Sequence, residues 1–223
     1  MNSALSFSDV QDYMLEQLHE RPDELSAMEH HARETGFPII GPVAGNMCYQ
    51  IARIIGARKV FEMGSGYGYS TAWFARAVHE NGGGTVHHVV WDAELSSKAR
   101  VHLRRLGYAE IVQYHVAEAV KTLESTPGPF DLIFNDIDKS AYPEALPVIE
   151  RCLRPGGILI VDNMLLSGRI FDSSDRTAPT AGVRELTRRI NASQEWIGSI
   201  VPIRDGLLLA YRSPSPSPTT SDA

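Results

Sequence analysis

Three glycines within five residues, Gly64, Gly66 and Gly68, separate an apolar run from a helix-like segment in the stretch VFEMGSGYGYS. Glycine at that density means that the backbone must come close to something, since without a Cβ it tolerates both close approach and positive φ. In a strand–loop–helix unit such a loop lies at the carboxyl end of the strand, where ligands of parallel sheets sit. A dinucleotide site would use G-x-G-x-x-G, with the pyrophosphate on the helix N-terminus. Here the last spacing is shorter, and an acid, Glu62, stands two residues before the first glycine. A carboxylate there is unfavourable beside a diphosphate. It suits a cationic ligand end, such as the amino or sulfonium side of S-adenosylmethionine. A tight turn with no ligand is the plain alternative.

Two later stretches run out of apolar segments into acids. FNDIDKSAY carries Asp136 and Asp138, and IVDNMLLSG carries Asp162 and Asn163. On adjacent parallel strands these ends would meet. Two carboxylates and an amide oxygen form a hard, oxygen-only donor set, which favours Mg²⁺ or a similar ion with water or substrate completing the octahedron. The alternative is that Asp138 and Asp162 cap helices and loops. Lys139 follows the first acid pair and could be a simple ion-pair partner. A bound divalent cation would disfavour its ammonium form, leaving an amine able to take a proton from a substrate hydroxyl. In VVWDAE, Asp92 is the nearest candidate for holding ribose hydroxyls and Glu94 the second; either could instead cap a helix. The segment VAEAV, with Ala117 and Glu118, would lie over an adenine edge.

These groups need a scaffold, and the hydrophobic pattern supplies one. Helical spacing covers residues 10–18 and 24–35, the latter stopped by Gly36 and Pro38. A turn then feeds a helix that ends near Gly56. Strands and helices alternate from there: KVFEMG, STAWFARAVHE, TVHHVVWD, AELSSKARVHLRRLG, IVQYHVA, EAVKTLEST, FDLIFNDID, YPEALPVIERCL, GILIVDN and TAGVRELTRRINAS. WIGSIVPIRDGLLLAYR reads as a closing hairpin around Arg204-Asp205-Gly206. The alternation predicts an α/β fold: a doubly wound, mostly parallel sheet with helices on both faces and an antiparallel C-terminal strand. Residues 1–212 are expected to form one domain, with residues 1–40 as a helical cap over the site or a dimer contact. The tail SPSPSPTTSDA, residues 213–223 with the preceding arginine excluded, is expected to be disordered.

Composition narrows the partners. The 223 residues are 43% hydrophobic and 22% charged, with a net charge of −6 and no basic stripe. Duplex nucleic acid is therefore not an expected partner. No apolar run approaches the roughly 20 residues of a membrane helix, and the first residues lack a basic segment followed by an apolar one. A cytoplasmic location is expected. Cys48 and Cys152 lack metal-ligand spacing and read as unpaired packing thiols. The pairs His30-His31 and His87-His88 read as structural or surface groups.

Together these residues resemble the cation-dependent, S-adenosylmethionine-dependent O-methyltransferases of catechol and caffeoyl-coenzyme A type, in a bacterial wording, from about residue 41 to 212. The resemblance rests on FEMGSGYGYSTAWFA, FNDIDKSAYPEAL, RPGGILIVDNMLLSGRI and VPIRDGLLLA. It implies a Rossmann-like fold and methyl transfer to a small vicinal-dihydroxy aromatic acceptor. Asp136, Asp162 and Asn163 would hold Mg²⁺, with Lys139 as general base beside Asp136. Glu62, Gly64, Ser65, Gly66 and Ser70 would contact S-adenosylmethionine, with Ile40 near its methionine end and Asp136 adjoining it. The family commonly has an acid where Val90 stands, so ribose recognition passes to Asp92. An aromatic that helps to wall the acceptor slot in relatives is Leu166 here. A homodimer is the family expectation. An NAD(P)-dependent oxidoreductase and a methyltransferase with a non-catechol acceptor are the alternatives.

Overall fold

The computed structural model describes residues 6–214. Seven strands form one sheet: β1 (Lys59–Met63), β2 (Thr85–Val90), β3 (Val112–Val116), β4 (Phe130–Asn135), β5 (Leu153–Val161), β6 (Trp196–Val201) and β7 (Leu207–Arg212). Their order is β3-β2-β1-β4-β5-β7-β6. The first five are parallel, and β7 runs antiparallel between β5 and β6. The doubly wound sheet expected from the alternation is thus what the chain forms. Its order reverses between β1 and β4, and a crevice opens at such a switch point beyond the strand carboxyl ends.

Eight helices accompany the sheet among the described residues: α1 (Phe7–Glu16), α2 (Asp23–Thr35), α3 (Gly41–Ile54), α4 (Tyr69–Glu80), α5 (Ala93–Arg105), α6 (Ala119–Ser125), α7 (Tyr142–Cys152) and α8 (Ala178–Ala192). Successive strand residues face opposite sides. Val60 and Leu132 therefore enter a core with Met28, Phe74 and Leu103, while Phe61 and Ile133 enter a second core with Leu123, Tyr142 and Ile149. Coverage on both faces explains why the central strands read as unbroken apolar runs rather than alternating ones.

Three boundaries differ from the sequence pattern, each for a local reason. α1 begins at Phe7 rather than residue 10, because Ser6 and Asp9 form a reciprocal capping box. β4 stops at Asn135, so Asp136 and Asp138 stand in the loop beyond it. β5 begins at Leu153, ahead of the expected glycine-terminated turn: Leu153 pairs with Phe130, the register then shifts, and Ile158 pairs with Leu132. Gly156 at φ +75° and Gly157, where a Cβ would crowd the Asp131 carbonyl at 2.9 Å, let Arg154–Gly157 bulge without ending the strand. The expected disordered tail falls, from residue 215 onward, outside the described residues. No described helix is long and apolar enough to cross a membrane.

α8 approaches the short 3-10 turn Lys139–Ala141 so closely that a Cβ on Gly182 would strike the Lys139 carbonyl. Gly182→Ala should therefore destabilise the protein by about 1–3 kcal/mol through overpacking, although alanine is the better helix former by about 1 kcal/mol. Urea denaturation measures it, and a stabilised variant would refute this close-packing account.

Candidate active site

The glycine loop follows β1, and its geometry is set first by the protein itself. Gly64 has φ +86°, and a Cβ there would strike the Asp136 carbonyl. Gly68 has φ +92°, with the Ala99 Cβ 2.9 Å from where its own would be. The loop is thus pressed against the β4 loop on one side and α5 on the other. Ser65 closes it onto β2: its N–H donates to the Val89 carbonyl at 2.9 Å and its Oγ accepts from the Val89 N–H at 2.9 Å.

Beyond the strand ends lies a cleft of about 300 Å³. Of the residues singled out from the sequence, Ile40, Gly64, Ser65, Gly66, Ser70 and Ala117 line it. Asp136, Lys139, Asp162 and Asn163 line the same cleft. Backbone bonds between neighbouring strand ends hold them there. The Asp136 N–H donates to Met63 O at 2.9 Å, and the Asp162 N–H to Asn135 O at 3.2 Å. Tyr142, fully buried, donates its hydroxyl to Asp162 O at 2.9 Å.

Three acids expected near a donor are not part of the cleft wall. Glu62 is fully buried beneath it, and its two carboxyl oxygens accept from the Ser70 and Thr71 hydroxyls in the first turn of α4. Thr71 Oγ1 also lies 3.0 Å from His88 Nδ1, so His88 belongs to a buried polar chain. Burial pushes the Glu62 carboxyl up to about 7 against those hydrogen bonds, and pushes the His88 imidazole down to about 3. Asp92 caps α5, its Oδ1 accepting from the N–H groups of Glu94 and Leu95 at 2.7 and 3.0 Å. Glu118 caps α6 in the same way, through Val120 and Lys121. For Asp92, the capping alternative is the role its contacts describe.

The acid cluster has the opposite character: it is under-satisfied. Lys139 Nζ lies 2.8 Å from Asp136 Oδ1. Asp162 is 1% exposed; its Oδ2 meets Arg204 Nη1 at 3.4 Å and its Oδ1 has no partner. Both carboxyls are held above the usual carboxylate range by burial, which Lys139 opposes at Asp136. At Asp162 the charge of Asp136 adds to the rise, and Arg204 opposes it. Asn163 sits at φ +58° and donates Nδ2 to Asp205 Oδ2 at 3.0 Å, which commits its nitrogen and leaves its oxygen as the atom for a ligand. Among the described residues no three His, Cys, Asp or Glu side chains are arranged so that they could together hold a metal ion. Two carboxylates and one amide oxygen nevertheless fit a hard divalent cation, and the orphaned Asp162 Oδ1 is the observation that favours it.

Sequence reading missed Arg204 as a site residue. It looked like part of a hairpin turn, which it is, at φ +51°. The missed signal was an arginine at a turn position that favours glycine.

A nucleoside-scale crevice at the switch point, with a glycine loop and an oxygen-donor cluster on its wall, is the framework of a Rossmann-like group-transfer enzyme. Comparison carries the assignment further. The O-methyltransferase family profile matches residues 12–213, and the chain belongs to that family. The chain is 29% identical over 221 residues to the catechol O-methyltransferase of Niastella koreensis, covering 94% of this chain and 99% of that one. Among solved structures, the O-methyltransferase TomG of Streptomyces achromogenes, involved in tomaymycin synthesis and in complex with S-adenosylmethionine, superposes with a TM-score of 0.82 at 27% identity, over 92% and 96% of the chains. An O-methyltransferase of Bacillus cereus in complex with S-adenosylhomocysteine gives 0.82 at 25% identity, over 92% and 97%. The choice between hydride and methyl transfer thus falls to methyl transfer.

Glu62 also gives a pH signature. Its carboxyl keeps a proton up to about 7 in the folded protein, against an ordinary value of 4.5. The native state therefore binds more protons across that window, and the associated stability is present below 4.5 and lost as pH rises through 7. Glu62→Gln has no such dependence. Thermal melts at pH 5 and pH 8 should show the variant gaining on wild type as pH rises; a constant difference would show that Glu62 does not titrate in that window.

Proposed function

We propose that the chain transfers a methyl group from S-adenosylmethionine to a hydroxyl of a small catechol-like acceptor, with a divalent cation such as Mg²⁺ held by Asp136, Asp162 and Asn163 and with Lys139 as general base. The observation that carries the reading is the partnerless, buried Asp162 Oδ1 in the cleft that the glycine loop also lines. When bound, the donor supplies a methyl carbon on a sulfonium centre, and the cation supplies positive charge that acidifies the acceptor hydroxyls.

The protein's own residues do the rest. Gly64, Ser65, Gly66 and Ser70 form the donor wall, with Ile40 and Ala117 adding apolar surface. Glu62 acts through its hold on Ser70 and Thr71, fixing the first turn of α4 against the loop. Asp92 and Glu118 stand next to the segments Val89–Trp91 and Ala117 that line the cleft, and position those segments as helix caps. Lys139 takes the acceptor proton at Nζ, and Asp136 keeps that nitrogen within 2.8 Å of Oδ1. Methyl transfer to an anionic oxygen would cancel charge, which a drier site favours, and the buried Ile40 and Tyr69 side chains on the cleft wall would limit water there. Orientation supplies much of the remaining rate.

The test is methyl transfer from labelled S-adenosylmethionine to a panel of catechols, with Mg²⁺ and then with a chelator. Product is expected with the ion and should be lost with the chelator. Lys139→Ala should lower kcat by about 10²- to 10⁴-fold while donor affinity stays within about threefold, a shift smaller than 1 kcal/mol. Lost donor binding in that variant, or equal turnover with chelator, would overturn the assignment of roles.

A further inference from the structure

A second cavity, of about 1050 Å³, adjoins the cleft. Asn163 and Arg204 line both. The walls of the second cavity include four apolar side chains, Phe7, Leu165, Phe171 and Pro202. Phe7 and Phe171 are 51% and 77% exposed, so this apolar surface is wet until something covers it. α1 reaches the cavity through Phe7, Ser8 and Gln11, and Gln11 ties it to the hairpin: its Oε1 accepts from the Arg204 N–H at 2.8 Å and its Nε2 donates to Pro202 O at 3.2 Å.

The charges at the junction are uneven in their engagement. Asp205 is spent inside the protein, its Oδ1 accepting from the Ser167 N–H at 2.6 Å and its Oδ2 from Asn163 Nδ2 at 3.0 Å. Lys139 is committed to Asp136. Among the described residues Arg204 is the only cation on the wall of the second cavity, and its one side-chain hydrogen bond there is the 3.4 Å contact of Nη1 with Asp162. A guanidinium carries five N–H donors in a planar fork suited to a carboxylate. Four of the five therefore have no protein partner among the described residues. The Arg204 backbone is at φ +51°, a conformation that residues other than glycine rarely adopt.

We propose that Arg204 is an acceptor-specificity residue: the second cavity takes the ring of a hydroxylated aromatic acid, and the free edge of the Arg204 guanidinium binds its carboxylate while Nη1 keeps its contact with Asp162. This rests on the reading of the cleft as a methyl-transfer site. The apolar walls hold the ring, the junction leads its hydroxyls toward Lys139, and a neutral acceptor leaves the guanidinium donors without a partner.

The test compares 2,3- and 3,4-dihydroxybenzoate, each with its own methyl ester, in wild type and in Arg204→Gln. Wild type should prefer at least one acid over its ester by about tenfold or more in kcat/KM, in line with the strength of a charge-assisted pair. The preference should collapse in the variant, chiefly through a higher KM for the acid. Equal use of acid and ester by wild type, or a preference that survives the substitution, overturns the proposal. If no acceptor is methylated, the proposed function itself fails, and titration calorimetry of acid and ester on the S-adenosylhomocysteine-saturated protein decides about Arg204 separately. Tighter binding of the acid that depends on Arg204 supports the anion site, and equal binding removes it.

Discussion

Desolvation of carboxylates is the constraint around which this molecule is arranged. Glu62 and Asp162 are 0% and 1% exposed, and Asp136 stands close enough to Asp162 to raise its pKa further. Burying an ionised carboxylate without partners is costly enough that the group is usually neutralised or paired. The protein handles its acids in two ways. Glu62 receives two hydroxyls from the first turn of α4 and becomes part of the scaffold. The Asp136–Asp162 pair is opposed by Lys139, a long contact with Arg204 and the Asn163 backbone N–H, and among the described residues Asp162 Oδ1 makes no hydrogen bond. Other buried atoms also lack a partner, among them both side-chain ends of Asn135 and His88 Nε2, but Asp162 Oδ1 is the one that belongs to a carboxyl group on the cleft wall, where an unmet charge points to function rather than to stability.

The sheet explains why the two classes of acid lie so near one another. β1, β4 and β5 are adjacent and parallel, so their carboxyl ends share one rim. Gly64 lacks a Cβ where the Asp136 carbonyl passes, and this brings the glycine loop and the acid loop into contact. The glycine loop and the acid cluster are therefore mechanically joined, through backbone rather than through flexible side chains. Gly182 serves the same end from outside, letting α8 press on the turn that carries Lys139. Rigid placement of this kind is what a transfer between two bound molecules requires.

The second cavity is built differently. Its wall combines the first helix, the 3-10 segment Leu166–Phe171 and the β6–β7 hairpin. α1 buries none of its own residues, and its ties to the hairpin run through one glutamine. Family members that share the sheet and the acid loops can therefore differ at this wall without disturbing the core.

What the sequence determined by itself was the fold class, the glycine loop and the two acid motifs, because strand–helix alternation and glycine spacing are local properties written in residue order. The resemblance to O-methyltransferases was legible on the same stretches. Local patterns also located the elements to within a few residues, failing where a capping box lengthened α1 and where paired glycines let β5 bulge instead of stop. Only the tertiary structure decided what each acid does. Glu62, Asp92 and Glu118 look alike in sequence from Asp136 and Asp162, each an acid at or just beyond a strand. Three of them find hydroxyls or helix N–H groups, whereas the other two face the cleft and each other. Hydrogen-bond satisfaction depends on neighbours distant in the chain, as does the placement of Arg204, 42 residues from the Asp162 it touches. That is why the chemistry-bearing residue types could be read from order alone, and their division between scaffold and site could not.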